Sequence, residues 1–317
     1  MQALGFSLSC ELYAPRQLVD LARRVEQAGF DFALISDHYH PWVSAQGQAP
    51  FVWTVLGAIA EATSRLRVGT GVTCPLMRTH PAIIAHAAAT TAAMFDDRFF
   101  LGLGAGENLN EHILGDRWPP PTERHEMLVE AIEIIRRLWS GDLVSYDGGY
   151  YHVDEARLFT LPETSPDIIL AASGTQSAQL AAEVCDGLMG VAPDASMLKA
   201  FDEAAPGKLA KYGQVTLAWG DSESAARKTL VDLWPQSGLG GNLKWETKTF
   251  ELFEDGAKPL TEEQIVGNTP CGPDPDVHLE AIRAYEEAGY THVSLHQIGR
   301  DHAGFFEFVE QELKPRL

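Results

Sequence analysis

A carboxylate, two imidazoles and an indole crowd into one short segment, Ser36-Asp37-His38-Tyr39-His40-Pro41-Trp42. The apolar run Phe32-Ala33-Leu34-Ile35 just before it reads as a buried strand, so these side chains stand where a strand gives way to a loop. Parallel α/β folds bind ligands at that end of the sheet. Acid–base groups beside an aromatic surface suit redox chemistry on a planar cofactor. An extended backbone would point His38 and His40 to the same side, and such a pair at a strand end also matches metal ligation. His80, His112, Glu107 and His296 could complete a ligand set, so a metal-dependent hydrolase stands as a rival reading. Solvated loop histidines are the plainer one.

Other strand tips repeat the pattern. Glu107 ends the run Leu101-Gly102-Leu103-Gly104-Ala105-Gly106, with Asn108 and Asn110 close behind. No Lys-Ser/Thr follows, so this is not a phosphate loop; the glycines allow a ring or a backbone to come close. Gly69-Thr70-Gly71-Val72-Thr73-Cys74-Pro75 and Ala171-Ala172-Ser173-Gly174-Thr175 are further tips with small side chains. Ser173-Gly174, ahead of a helix, could offer N–H groups to an anion. Together these tips favour a flat cofactor lying across the mouth of a barrel. Trp42 belongs at that mouth, whereas Trp219 and Trp234 read as core or lid packing.

The elements that would position these groups alternate. Leu18, Leu21, Ala22 and Val25 form an apolar helical stripe between Pro15 and the terminating Gly29. The helix-to-strand joint Glu26-Gln27-Ala28-Gly29-Phe30 is echoed by Glu286-Glu287-Ala288-Gly289-Tyr290 before Val293-Ser294-Leu295-His296. Helices are expected at 53–64, 83–94, 123–139 and 178–184, and strands at 68–72, 99–104, 168–172, 188–192 and 214–219. Tyr146-Asp147-Gly148-Gly149-Tyr150-Tyr151 reads as a hairpin turn. The count, eight strands mostly separated by helices, favours a (β/α)8 TIM barrel over a doubly wound sheet, as one domain spanning 1–317. A hairpin after the fourth helix and a long excursion at about 235–275, read as a lid, are its insertions.

With 24 Lys+Arg against 44 Asp+Glu the chain carries −20, which argues against nucleic acid or an anionic membrane as partner. It fits a salt-rich cytoplasm. No run of about 18 apolar residues appears, and Met1-Gln2-Ala3-Leu4-Gly5 enters a strand without a basic segment, so a cytoplasmic protein is expected. Cys10, Cys74, Cys185 and Cys271 are far apart and form no Cys-x-x-Cys pair; they read as free thiols.

Over nearly its whole length the chain resembles the luciferase-like flavin and deazaflavin oxidoreductases, most of all the coenzyme F420-dependent glucose-6-phosphate dehydrogenase group. The resemblance is carried by Ser36-Asp37-His38…Pro41-Trp42, Gly104-Ala105-Gly106-Glu107…Asn110-Glu111 and Arg137-Leu138-Trp139-Ser140-Gly141. It implies a (β/α)8 barrel, usually dimeric, with F420 at the C-terminal face and FMN as the alternative cofactor of a related monooxygenase or reductase. It further implies His38 as the base that takes an alcohol proton, Glu107 as the acid serving the ring nitrogen, and Trp42 as the aromatic partner. Cofactor contacts are implied at Asp37, Gly71, Val72, Cys74, Gly106, Asn110, Ser173 and Gly174, with a bulged cis peptide at Gly71-Val72.

The departures bear on substrate. Where the sugar-phosphate enzymes place a Thr and a Lys after the sixth strand, this chain has Gly190-Val191-Ala192-Pro193-Asp194, and Gly267 stands at a further phosphate-binding Lys. Losing those cations should cost several kcal/mol of charge-assisted binding. A small non-phosphorylated alcohol, lactol or carbonyl compound is therefore expected as substrate. F420 itself carries a phosphate and an acidic tail, so a basic patch is expected, with Arg78 and Arg98 near strand ends as its candidates.

Overall fold

The computed structural model describes residues 1–317. The chain opens with β1 (Ala3–Leu8), α1 (Pro15–Gln27), β2 (Phe32–Ile35), α2 (Val52–Ala62), β3 (Arg67–Thr70), α3 (Pro81–Phe95) and β4 (Phe99–Leu103). The short α4 (Asn108–Glu111) and the long α5 (Pro121–Leu138) lead to an antiparallel hairpin, β5 (Val144–Asp147) with β6 (His152–Ala156). Then come β7 (Ile168–Ala171), α6 (Thr175–Val184), β8 (Gly187–Gly190), α7 (Ala195–Ala204), β9 (Ala210–Leu217) and α8 (Glu223–Leu233). The excursion follows as a 3-10 turn, Pro235–Gly238, and three short helices: α9 (Leu243–Glu246), α10 (Phe250–Ala257) and α11 (Glu262–Val266). The chain closes with α12 (Pro275–Ala288), β10 (His292–Gln297) and α13 (His302–Phe308).

Eight of these strands pair in parallel as a closed barrel in the order β1-β10-β9-β8-β7-β4-β3-β2, so the expected (β/α)8 architecture is present. No helix is long and apolar enough to cross a membrane. The stripe of α1 is buried as Leu18, Leu21, Ala22 and Val25. Gly29 (φ 71°) and Gly289 (φ 111°) take the left-handed conformation that ends α1 and α12, and the strands after them flank β1 on either side. The echoed joint is thus the same turn built twice beside one strand.

Phe32, Leu34, Phe100, Ile169, Met189 and Tyr212 fill the barrel interior. Gly69 lets the Phe100 ring lie against its strand, where a methyl group would collide. A larger apolar layer joins the strands to the outer helices. The hairpin is held down by α5: the Glu130 carboxylate accepts the N–H groups of Gly149 and Tyr150 at 2.8 and 3.0 Å.

Most expected boundaries fall within a few residues. β3 stops at Thr70 rather than 72; the Gly71–Val72 peptide beyond it is cis. The excursion is not an irregular loop: its helices bury Leu239 and Phe253 against Trp42 and Leu109. Arg98 does not serve the site. It donates to the carbonyls of Leu66 and Thr63, ahead of β3, at the opposite end of the barrel.

Candidate active site

The C-terminal ends of β1, β2, β3 and β4 bring a chain of titratable groups together. Glu11, beyond β1, is buried at 2% exposure and accepts from Ser9 Oγ (2.6 Å) and Ser36 Oγ (2.9 Å). His38 Nε2 lies 3.3 Å from Glu11 Oε1 and 3.6 Å from Glu107 Oε2. Its Nδ1 donates to the His40 carbonyl at 3.2 Å. Burial works against charge on this imidazole, but Glu11 and then Glu107 outweigh it, so the His38 pKa lies above its ordinary value. The Glu11 carboxyl is displaced the other way: burial raises it, while His38 and the hydrogen bonds from Ser9 and Ser36 bring it below the usual range.

Asn110 is the hub of this cluster. Its Oδ1 gathers the N–H groups of Tyr39 (2.9 Å) and His40 (3.1 Å), and its Nδ2 donates to Glu107 Oε2 (3.0 Å). The bend this imposes overturns one expectation. His38 and His40 do not face one way: His40 Nδ1 turns to the Leu109 carbonyl (2.9 Å), and its ring stacks on His112. The pair presents no common point to a metal, and no three His, Cys, Asp or Glu side chains converge in ligating geometry.

Asp37, for which a cofactor contact is expected, is also anchored within the protein. Its carboxylate is engaged within the protein on both oxygens, by Arg78 Nη2 at 3.0 Å and Thr73 Oγ1 at 2.9 Å. Arg78 in turn holds Glu111, whose carboxyl lies above the usual range because burial raises it more than Arg78 lowers it. Arg78 is therefore buried in ion pairs and is no free basic patch. These pairs fix the loop after β3, which carries Gly71, Val72 and Cys74, against the loop after β4.

The glycine run of β4 serves the backbone approach. A methyl group on Gly102 would meet the Thr70 carbonyl, and one on Gly104 would meet Val72. Gly106 (φ 76°) packs against Cys74 Sγ and Glu111. Cys74 is buried and its thiol is pushed well up by that burial and by Glu111. Trp42 stands beside His38, ring centroids 5.1 Å apart, and the T-shaped Phe253 of α10 backs it at 5.2 Å. Ser173 and Gly174 lie at the tip of β7, next to β4 in the barrel, with open space over Gly174 and no hydrogen bond to the His38 cluster.

One group beside this cluster, Glu11, escaped the sequence reading, and two others, His296 and Trp234, were weighed there only as a metal ligand and as packing. Glu11 follows the apolar strand and Ser9-Cys10 just as Asp37 follows Ile35, so the strand-tip rule would have found it. His296, at the end of β10, is buried and neutral: burial lowers its pKa to about 4 and Glu11 only partly offsets this. Trp234, read as packing, meets its ring edge-on at 4.8 Å.

A parallel barrel with its acid–base groups on the strand ends defines the class, and a family model agrees: residues 5–292 match the luciferase-like monooxygenase family, to which the chain belongs. Among curated relatives, it is 35% identical to an F420-dependent glucose-6-phosphate dehydrogenase of Tsukamurella paurometabola, covering 99% of this chain and 97% of that one. It is 38% identical to an F420-dependent hydroxymycolic acid dehydrogenase of Mycobacterium tuberculosis, covering 100% and 88%. A solved F420-dependent secondary alcohol dehydrogenase, in complex with an F420–acetone adduct, superposes with a TM-score of 0.91 at 28% identity, covering 99% and 98% of the two chains.

Proposed function

We propose that the protein is a coenzyme F420-dependent oxidoreductase that moves hydride between C5 of the deazaflavin and a non-phosphorylated alcohol, lactol or carbonyl compound. The observation that carries this reading is the His38 imidazole held between Glu11 and Glu107 and facing Trp42. When bound, F420 would supply the hydride acceptor or donor. The residues present fit such a ring: the small residues of the β3 and β4 tips and open space over Gly174.

The chain's own groups manage the proton. In the oxidative direction His38 Nε2 takes the hydroxyl proton, and Glu11 holds the resulting imidazolium. In reverse the same imidazolium gives its proton to the carbonyl oxygen. Glu107, at 21% side-chain exposure more open than Glu11, would hold the ring nitrogen of the bound cofactor by a hydrogen bond or supply its proton. Trp42 shields the reacting atoms from water.

The segment after β8 supports a substrate without phosphate. Val191 is exposed, and Asp194 is spent capping α7 through the N–H groups of Ser196 and Met197. Gly267 offers no side chain. A second copy of the chain is proposed as partner, docked on the charge-poor face of α2 and α3.

The test pairs binding with turnover. Titration with F420 and, separately, with FMN should give tight F420 binding and weak FMN binding; preference for FMN would overturn the cofactor assignment. His38→Ala and Glu107→Gln should each slow turnover on an alcohol panel by about a hundredfold or more. F420 affinity should change little in both. Near-normal turnover in either variant removes that residue from the mechanism.

A further inference from the structure

Three N–H groups are buried without an acceptor near the Glu107 loop: Nε and Nη1 of Arg124 and the indole Nε1 of Trp118. Arg124 stands in the first turn of the 18-residue helix α5, with its side chain 5% exposed. Its guanidinium lies over the Trp118 ring, 4.2 Å from the centroid. A single carboxylate approaches it, Glu246 of the lid, at 3.6 Å from Nη2. That distance is an ion pair without a hydrogen bond. Glu246 is 45% exposed, so its side chain is free to leave. The Glu246 carbonyl accepts from Asn108 Nδ2 at 3.0 Å, which seats this lid segment directly on the loop that carries Glu107.

The chemistry of the cluster is one-sided. Guanidinium and indole nitrogens donate and do not accept. A buried donor left unpaired carries the full desolvation cost, so whatever completes the cluster must be an acceptor. A guanidinium stacked on an indole favours carboxylate or phosphate oxygens, and the first turn of a long helix adds its positive end. Burial lowers the Arg124 pKa, while Glu246, Cys74 and Glu107 pull it back up, which puts the group within the field of the active site. In a chain of charge −20, an anionic cofactor needs a cation that is not already paired. Arg78 is committed to Asp37 and Glu111, and Arg98 lies at the far end of the barrel.

We propose that Arg124 and Trp118 form an anion site beneath the lid, which takes a phosphate or carboxylate group from the side chain of the bound deazaflavin and displaces Glu246. This rests on the F420 reading above. The anion would tie the cofactor to α5 and, by releasing Glu246, loosen the lid segment held against Asn108.

The test uses full-length wild type, Arg124→Gln, Trp118→Phe and Glu246→Gln, titrated by deazaflavin fluorescence. The ligands are the tail-less deazaflavin riboside, its phospholactyl derivative without glutamates, and complete F420. Arg124→Gln should raise the F420 dissociation constant about tenfold to a hundredfold, and Trp118→Phe by about threefold. Both should leave riboside binding unchanged, and Glu246→Gln should tighten F420. A loss already present with the phospholactyl form assigns the site to that group; a loss confined to complete F420 assigns it to a glutamyl carboxylate. Equal losses for riboside and F420, or no loss in Arg124→Gln, overturn the anion site. Wild-type protein that binds no deazaflavin overturns the cofactor reading itself, so the two failures are distinct.

Discussion

At the scale of single residues, the contest over His38 sets the direction in which the site works best. Burial alone would keep this imidazole neutral, but Glu11 at 3.3 Å and Glu107 at 3.6 Å hold it above its ordinary pKa. An imidazole whose pKa is raised keeps its proton to higher pH, which makes it a readier donor to a carbonyl oxygen and a less ready base for an alcohol. Carbonyl reduction should therefore fall, and alcohol oxidation rise, as pH climbs through the His38 pKa. Glu11→Gln removes the larger of the two attractions. It should move the rising limb of the oxidation profile to lower pH, and His38→Ala should abolish that limb. A limb that stays in place in Glu11→Gln would mean that another group titrates. Glu11 went unread in the chain, and Arg78 was read as a free cation rather than as an ion-paired one. Asp37, His38, Trp42, Glu107 and Asn110 declare themselves as polar or aromatic residues after an apolar run. What they bond to depends on which strand tips the barrel brings side by side, and Arg78 reaches both Asp37 and Glu111 only because β2, β3 and β4 are adjacent.

At the scale of elements, the lid is joined to the barrel by a small apolar cluster rather than by the main core. Phe253 is fully buried and sets its edge on Trp42, with Leu109 and Leu239 completing the contact. Polar ties flank it: Gln46 accepts from the Trp42 N–H at 2.8 Å and donates to the Leu233 carbonyl at 3.0 Å, and Glu254 accepts the Ser44 N–H at 2.7 Å. Truncating a buried Phe costs about 3–5 kcal/mol where the surroundings cannot collapse. Because this cluster stands apart from the main core, Phe253→Ala should release the lid and leave the barrel folded. Amide exchange over residues 235–266 should quicken and substrate KM rise, with only a small fall in Tm. A large fall in Tm with uniform exchange would show that the lid is part of the cooperative core. The barrel itself was legible because its strands are continuous apolar runs and its helices carry full stripes, as α1 does. The lid helices were not, because α9, α10 and α11 are short and expose most of their surface.

At the scale of the whole molecule, the distribution of charge is the feature that bears on assembly. The chain carries −20, yet α3 has no Asp, Glu, Lys or Arg over Pro81–Phe95, and α2 has Glu61 alone. Phe51, Ile83 and Met94 are exposed at 59, 58 and 44% and border an apolar groove of about 310 Å³ together with Trp53 and Ala87. On a highly charged surface, a patch of this kind is where the second copy of the chain is proposed to dock. Two copies meeting there would bury the groove without burying charge, while their remaining surfaces repel one another over roughly a Debye length, about 30 Å at 0.01 M salt and about 8 Å at 0.15 M. Association through this face should therefore tighten as salt rises, the reverse of an interface held by ion pairs. Sedimentation velocity should show a dimer at 0.15 M NaCl and above, with partial dissociation at low salt. Ile83→Glu should give a monomer at every salt concentration, since it introduces like charge on both sides of the contact. A dimer that weakens as salt rises, or one indifferent to Ile83→Glu, would place the contact on another face and leave the apolar groove of α2 and α3 without a partner.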